Sequence, residues 1–422
     1  MGKNEAFILA LLLIFVSAGP VLSIQEQDNG LLEKLRQAFS TGSFDFMEDD
    51  FSPDFLSIIP IQQLNEIAGE FGEGLKEIEF KEVHDSTHTF EMKYGDGSSR
   101  ELITVLDPDG RIVGFWIGPS IYPDAEAILK EIEELPGIVS ATLLSISHDE
   151  ILFSHDPDRP LAIGSAFKLY VLGELFKQIE EGKIELDDVV LLRDEDRSLP
   201  SGILQDWPSN TPLTIATLAN LMISISDNTA TDMLIDLVGR EEIEKDLAIF
   251  GHENSGLNIP FLTTKELFKL KWALPEEEVG RYLNLSVSEK RAFLGSLYGE
   301  PLPSVEDIQG PVYIDTLEWF ASSKDLTAFF KNLSEGKIVK DPELKKAMMD
   351  CLAINPVVLK ENEWQYMGYK GGSEPGVISL NWIFQSEEDW FALSFIWNDH
   401  EEDVRLIKAL DIAASLVNLT LT

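Results

Sequence analysis

Three short motifs in this 422-residue chain bring together side chains that can do chemistry. Ser165-Ala166-Phe167-Lys168 has the form S-x-x-K, Ser226-Asp227-Asn228 follows, and Lys370-Gly371-Gly372-Ser373 comes last. A serine hydroxyl is a weak nucleophile until a base sits beside it. Residues three apart on a helix share a face, so Lys168 can reach the Ser165 hydroxyl. An amine taken out of water holds its proton less tightly and can then accept one. Ser226 can pass a proton to a leaving group, and Asn228 can donate to a substrate carbonyl. Lys370 can steady the Ser226 oxygen and attract an anionic substrate. Gly371 and Gly372 let a substrate backbone approach closely. Taken singly, each motif also has a bland reading: a helix cap beside a surface lysine, a second cap, a glycine turn. Ser334-Glu335-Gly336-Lys337 repeats the S-x-x-K form in a loop-like context, which shows how cheaply that form arises. The set, its order and its surroundings carry the weight.

Those surroundings predict the elements that must position the motifs. A long helix is expected from Ser165 to about Ile179, its first residues at the positive end of the helix dipole. Ser226-Asp227-Asn228 is expected to join the apolar helix around Leu218–Ile223 to another from Thr229. Strands are expected at Ser140–Ser147, Glu150–Ser154, Gly368–Ser373, Ser379–Gln385 and Trp390–Trp397, with a closing helix over Glu402–Val417. Helical patterns fill most of 212–345. Strands at both ends with helices between imply one antiparallel sheet carrying a helical insertion, an α+β fold.

A smaller α+β unit is expected ahead of this domain. Leu31, Leu32, Leu35 and Phe39, then Ile61, Leu64, Ile67 and Phe71, recur at helical spacing. Four strand patterns follow within Phe80–Ile117, separated by Gly95-Asp96-Gly97 and Asp107-Pro108-Asp109-Gly110 turns. The boundaries are thus 25–120 and 124–422. Residues 1–23 have the layout of a signal peptide: Lys3, an apolar run from Ala6 to Val16, and small residues to Ser23. An uncleaved anchor is the alternative. The protein is expected to be secreted or in the periplasm or cell envelope, with no stable membrane span once the signal is removed.

The formal charge is −41, which opposes binding to nucleic acid or to anionic lipid. Cys351 is the one cysteine, so there is no internal disulfide and no thiolate metal site. It reads as a buried structural thiol. His84 and His88 sit in a strand-turn context that does not suit a metal. No metal or cofactor is expected, and the partner is a small-molecule substrate.

The three motifs resemble the signatures of class A β-lactamases and penicillin-binding proteins, with Gly371 where threonine is usual. The resemblance covers about residues 140–422. It implies a β-lactamase/transpeptidase-like sheet with a helical domain. With the small leading unit, the chain is most similar to a narrower group, the two-domain hydrolases of clavulanic acid clusters and mycobacterial lipoprotein-type proteins. There the leading domain resembles a cystatin or steroid-isomerase fold. The resemblance implies a catalytic set of Ser165, Lys168, Ser226, Lys370 and Ser373, with the Ser165 and Ser373 N–H groups as oxyanion hole. It also calls for an E-x-x-L-N glutamate to clear the acyl-enzyme. Glu253, in Glu253-Asn254-Ser255-Gly256-Leu257-Asn258, lies one residue too early for that pattern, and a solvated loop acid is the competing reading. Hydrolysis of a β-lactam or related ester or amide is the expectation. The alternatives are a D-Ala-D-Ala peptidase-like activity or a non-catalytic envelope-binding module.

Overall fold

The computed structural model describes residues 24–357, 359, 364–387 and 389–421. The expected signal peptide lies outside them. Among the described residues no helix is long and apolar enough to cross a membrane. The chain divides into two compact units. One takes the described residues as far as Glu131 and returns from Leu410; the other is Ile132–Ala409.

The first unit follows from its patterns. Helices Ile24–Thr41 and Ile61–Gly72 precede a meander of β1 (Leu75–His84), β2 (Thr87–Tyr94), β3 (Ser99–Leu106) and β4 (Ile112–Ile117). The sheet order is β1-β2-β3-β4, each neighbouring pair antiparallel. The apolar helix positions Leu35, Phe39, Leu64 and Phe71 are buried with Ile78, Phe90 and Leu102 of the strands. Phe44 meets Phe39, Phe51 and Phe115 edge-on, an arrangement aromatic rings favour. The chain's last helix, Leu406–Asn418, contributes Asp411 to this unit. Arg100 grips that carboxylate through two N–H groups at 3.0 and 2.7 Å. Its planar fork suits such a pairing.

The second unit is built on a sheet whose strands come from its two ends. β5 (Ile138–Ser145) and β6 (Glu150–His155) meet β11 (Tyr366–Tyr369), β12 (Gly372–Glu374), β13 (Val377–Ser386) and β14 (Asp389–Asn398). The order is β11-β13-β14-β5-β6, with β12 also on β13. Every pairing is antiparallel, and β14 lies against β5 from Phe391↔Ser145 to Asn398↔Ile138. Two short ladders, β7 (Leu161–Ala162) with β10 (Phe320–Ala321) and β8 (Val189–Leu191) with β9 (Pro212–Thr214), tie down loops. The α+β sheet with a helical insertion is therefore the observed architecture.

Three local details differ from the sequence reading. The helix expected from Ser165 opens as a 3-10 turn, Gly164–Phe167, and becomes α-helical at Lys168, running to Glu180. Gly164 at φ +47° imposes that tighter start. The strand expected over Gly368–Ser373 divides into β11 and β12. Its register is unbroken, since Lys370 N–H still donates to Asn381 O at 3.0 Å. The closing helix begins at Leu406, four residues beyond Glu402.

Candidate active site

Ser165 sits half-buried on its 3-10 turn. The turn is fixed from behind. Ile163 N–H donates to Trp319 O at 3.0 Å, and the Phe167 ring stacks on Trp319 with centroids 3.7 Å apart. Lys168 begins the α-helix and is fully buried. Ser226 lies in the connection between helices Ile215–Ser224 and Asn228–Val238, at φ +56°. Such a backbone is costly for a residue with a Cβ and persists only where its surroundings enforce it.

They do so through a polar web. Asp227 is buried, caps the following helix at Ala230 N, and also accepts from Ile203 N and Leu204 N. The Ser226 carbonyl accepts from Ser201 Oγ at 2.6 Å and from Lys168 Nζ at 2.6 Å. Lys168 Nζ also donates to Ser226 Oγ at 2.9 Å and to Asn228 Oδ1 at 2.6 Å. From the other side, Lys370 Nζ reaches Ser226 Oγ at 3.1 Å and Gly371 O at 2.6 Å. The Ser226 hydroxyl thus bridges two lysines.

Both lysines are buried, and among the described residues neither has a carboxylate within ion-pair distance. Burial pushes Lys370 down to about 7. Burial, followed by the nearby charge of Lys370, pushes Lys168 well below the ordinary lysine range. An amine held below its ordinary range gives up a proton more readily, as general bases and acids must.

The last motif faces Ser165 through backbone. A Cβ on Gly372 would overlap Ile163 O and come within 2.6 Å of Ser165 N. A Cβ on Gly164 would lie 3.1 Å from Ser373 N. Two glycines, one on each side, therefore let the backbone at Ser165 and at Ser373 approach closely. Gly371 has a different reason. A Cβ there would overlap the Tyr369 hydroxyl, so the tyrosine two positions back occupies the space of a side chain at 371.

All the motif residues named from sequence fall around one site, with two changes of detail. Ser165 Oγ makes no hydrogen bond among the described residues; Lys168 Nζ spends its three donors on Ser226 and Asn228 instead. Asn228 is buried, taking Lys168 on Oδ1 and giving an N–H to Leu199 O at 3.0 Å. It orients the lysine. Glu253 lies apart: its side chain is 63% exposed and pairs with Lys324 at 3.2 Å. The second S-x-x-K is a helix end, with Ser334 closing Ser323–Ser334 and Lys337 paired to Glu335 at 2.5 Å. Cys351 is buried, and its thiol is pushed up to about 12. Sequence reasoning missed Ser201, Leu199 and Tyr369. The turn residues Pro200-Ser201-Gly202 were the available signal for the first two.

The chain matches the family described as "Beta-lactamase enzyme family" over residues 124–356, more than half its length. Among solved structures, the β-lactamase from Sphaerobacter thermophilus is 22% identical, with TM-score 0.52; the match covers 71% of this chain and 96% of that one. The TLA-1 extended-spectrum β-lactamase is 15% identical, with TM-score 0.50, covering 71% and 98%. No curated protein matches the sequence. These likenesses establish a shared fold.

Proposed function

Because the chain belongs to the β-lactamase enzyme family, we propose that it is a serine hydrolase that forms an acyl-enzyme on Ser165. The carrying observation is the Ser226 hydroxyl held between Lys168 and Lys370, two buried lysines without carboxylate partners. In its neutral form Lys168 takes the Ser165 proton. Ser165 Oγ then attacks the carbonyl carbon, and the carbonyl oxygen gathers charge between the Ser165 and Ser373 N–H groups. One such donor contributes roughly 3–4 kcal/mol to lowering the barrier. The bond to the leaving nitrogen or oxygen breaks as Ser226 gives it a proton and regains one from the lysines. Water releases the acid.

The substrate class is a β-lactam or a related ester or amide. Glu253 is exposed and paired with Lys324, which favours slow release of the acyl group over fast β-lactam turnover. The same observation keeps a D-Ala-D-Ala peptidase-like activity in play. Likeness to the two-domain hydrolases of clavulanic acid clusters, and export through residues 1–23, belong to this reading. Intact-protein mass spectrometry after mixing with a penicillin is the test. A mass gain of one penicillin is expected in the parent protein and not in Ser165→Ala. Equal labelling of both removes Ser165 as the nucleophile.

A further inference from the structure

Behind the oxyanion strand lies a second buried lysine cluster that no motif contains. Lys271 is on a π-helical turn, Lys269–Ala273, a departure from α-helix that often marks functional positions. Its side chain and that of Glu318 are wholly buried, and that of Glu374 is 11% exposed. Lys271 Nζ donates to Glu318 Oε1 at 2.6 Å and to Glu374. Glu374 directly follows Ser373 in β12, and Glu318 directly precedes Trp319, the residue stacked under the Ser165 turn. Side chains alternate along a strand. Ser373 is exposed while Glu374 points into the protein. The cluster therefore ties the strand that carries one oxyanion donor to the segment that supports the other.

Resting on the acyl-enzyme reading above, we propose that Glu374 is a positioning residue. Pinned between Lys271 and Glu318, it sets the Ser373 N–H at the distance from Ser165 that the developing oxyanion needs. Two carboxylates share one ammonium here. Burial, then the neighbouring Glu318, holds the Glu374 carboxyl well above its usual range. A protonated carboxyl there would accept from Lys271 and offer its proton to Glu318. Glutamine offers the same two contacts. Aspartate is one methylene shorter and loses them, with little change in volume.

The test measures the acylation rate of Ser165 by a fluorescent penicillin, its saturation constant, and the melting temperature. These are compared for the parent, Glu374→Asp and Glu374→Gln. Glu374→Asp is expected to slow acylation at saturation by about 10- to 100-fold. That falls short of the 10²–10³-fold for outright loss of a donor. The saturation constant stays within about twofold, since binding uses other groups. Glu374→Gln is expected to restore at least half the parent rate. Parent-like acylation by folded Glu374→Asp overturns the assignment, and so does failure of Glu374→Gln to rescue while melting normally. A parent protein that is not labelled at all overturns the acyl-enzyme reading instead, a distinguishable result.

Discussion

The second unit buries lysine in two ways. Lys168 and Lys370 face a hydroxyl, carbonyls and an amide, and burial lowers their affinity for protons. Lys271 is buried as deeply, yet two glutamates hold it above the ordinary lysine range against the pull of desolvation. The same side chain is pushed in opposite directions, with directly paired carboxylates present at Lys271 and a second lysine beside Lys168. The two lysines proposed to move a proton have no carboxylate within ion-pair distance among the described residues. The lysine proposed to hold a strand has two.

The largest expected contrast comes from exchanging each lysine for methionine. Lys168→Met is expected to lower acylation by about 10²–10⁴-fold, the worth of a general base. Its loss of unfolding free energy should be under half that of Lys271→Met, because a desolvated amine is removed. Lys271→Met leaves two carboxylates buried together and is expected to cost about 3–5 kcal/mol in urea unfolding. Similar losses in both variants would break the comparison. Next, Lys370 should report its titration in substrate binding. Its ammonium persists below pH about 7 and is lost above it. KM for a carboxylate-bearing substrate should then rise above that pH, by up to roughly tenfold per unit, while KM for a neutral ester stays flat. Equal slopes for both substrates would remove Lys370 from carboxylate recognition. The smallest effect is expected from Glu318→Gln. The amide still accepts from Lys271, and Glu374 remains as the ammonium's carboxylate partner. Stability should change by under about 1 kcal/mol, well below the loss from removing the lysine.

The labile pair was legible in the sequence and the locked lysine was not. Ser165, Lys168, Ser226 and Lys370 lie in motifs that are recognisable together, so the set grouped them although Lys168 meets Ser226 from 58 positions away and Lys370 meets it from 144. Lys271 meets Glu318 from 47 positions away and Glu374 from 103. No local pattern records such a meeting. The sheet was readable because apolar runs and turn residues marked its strands at both ends of the unit. The turn at Ser165 was misread as plain helix because a glycine at position 164 reads equally as a boundary or a backbone device; its positive φ is a tertiary consequence of Ser373 pressing close. The role of Gly371 was hidden because it depends on where the Tyr369 ring lies.

The pairing of β14 with β5 has a consequence for how the protein comes into being. Asn398 must lie beside Ile138, and Phe391 beside Ser145. Contacts between segments so distant in the chain close late, since the entropy of a long loop is spent before the ladder rewards it. During synthesis the helical insertion, which ends at Ala353, is made before β11 to β14, which begin at Tyr366. Lys370 and the Ser373 N–H arrive with those last strands. On the acyl-enzyme reading, Ser165 therefore waits for its second lysine and its full oxyanion cradle until the last strands are made. On that reading, a chain stopped before Lys370 is expected to take up no penicillin label.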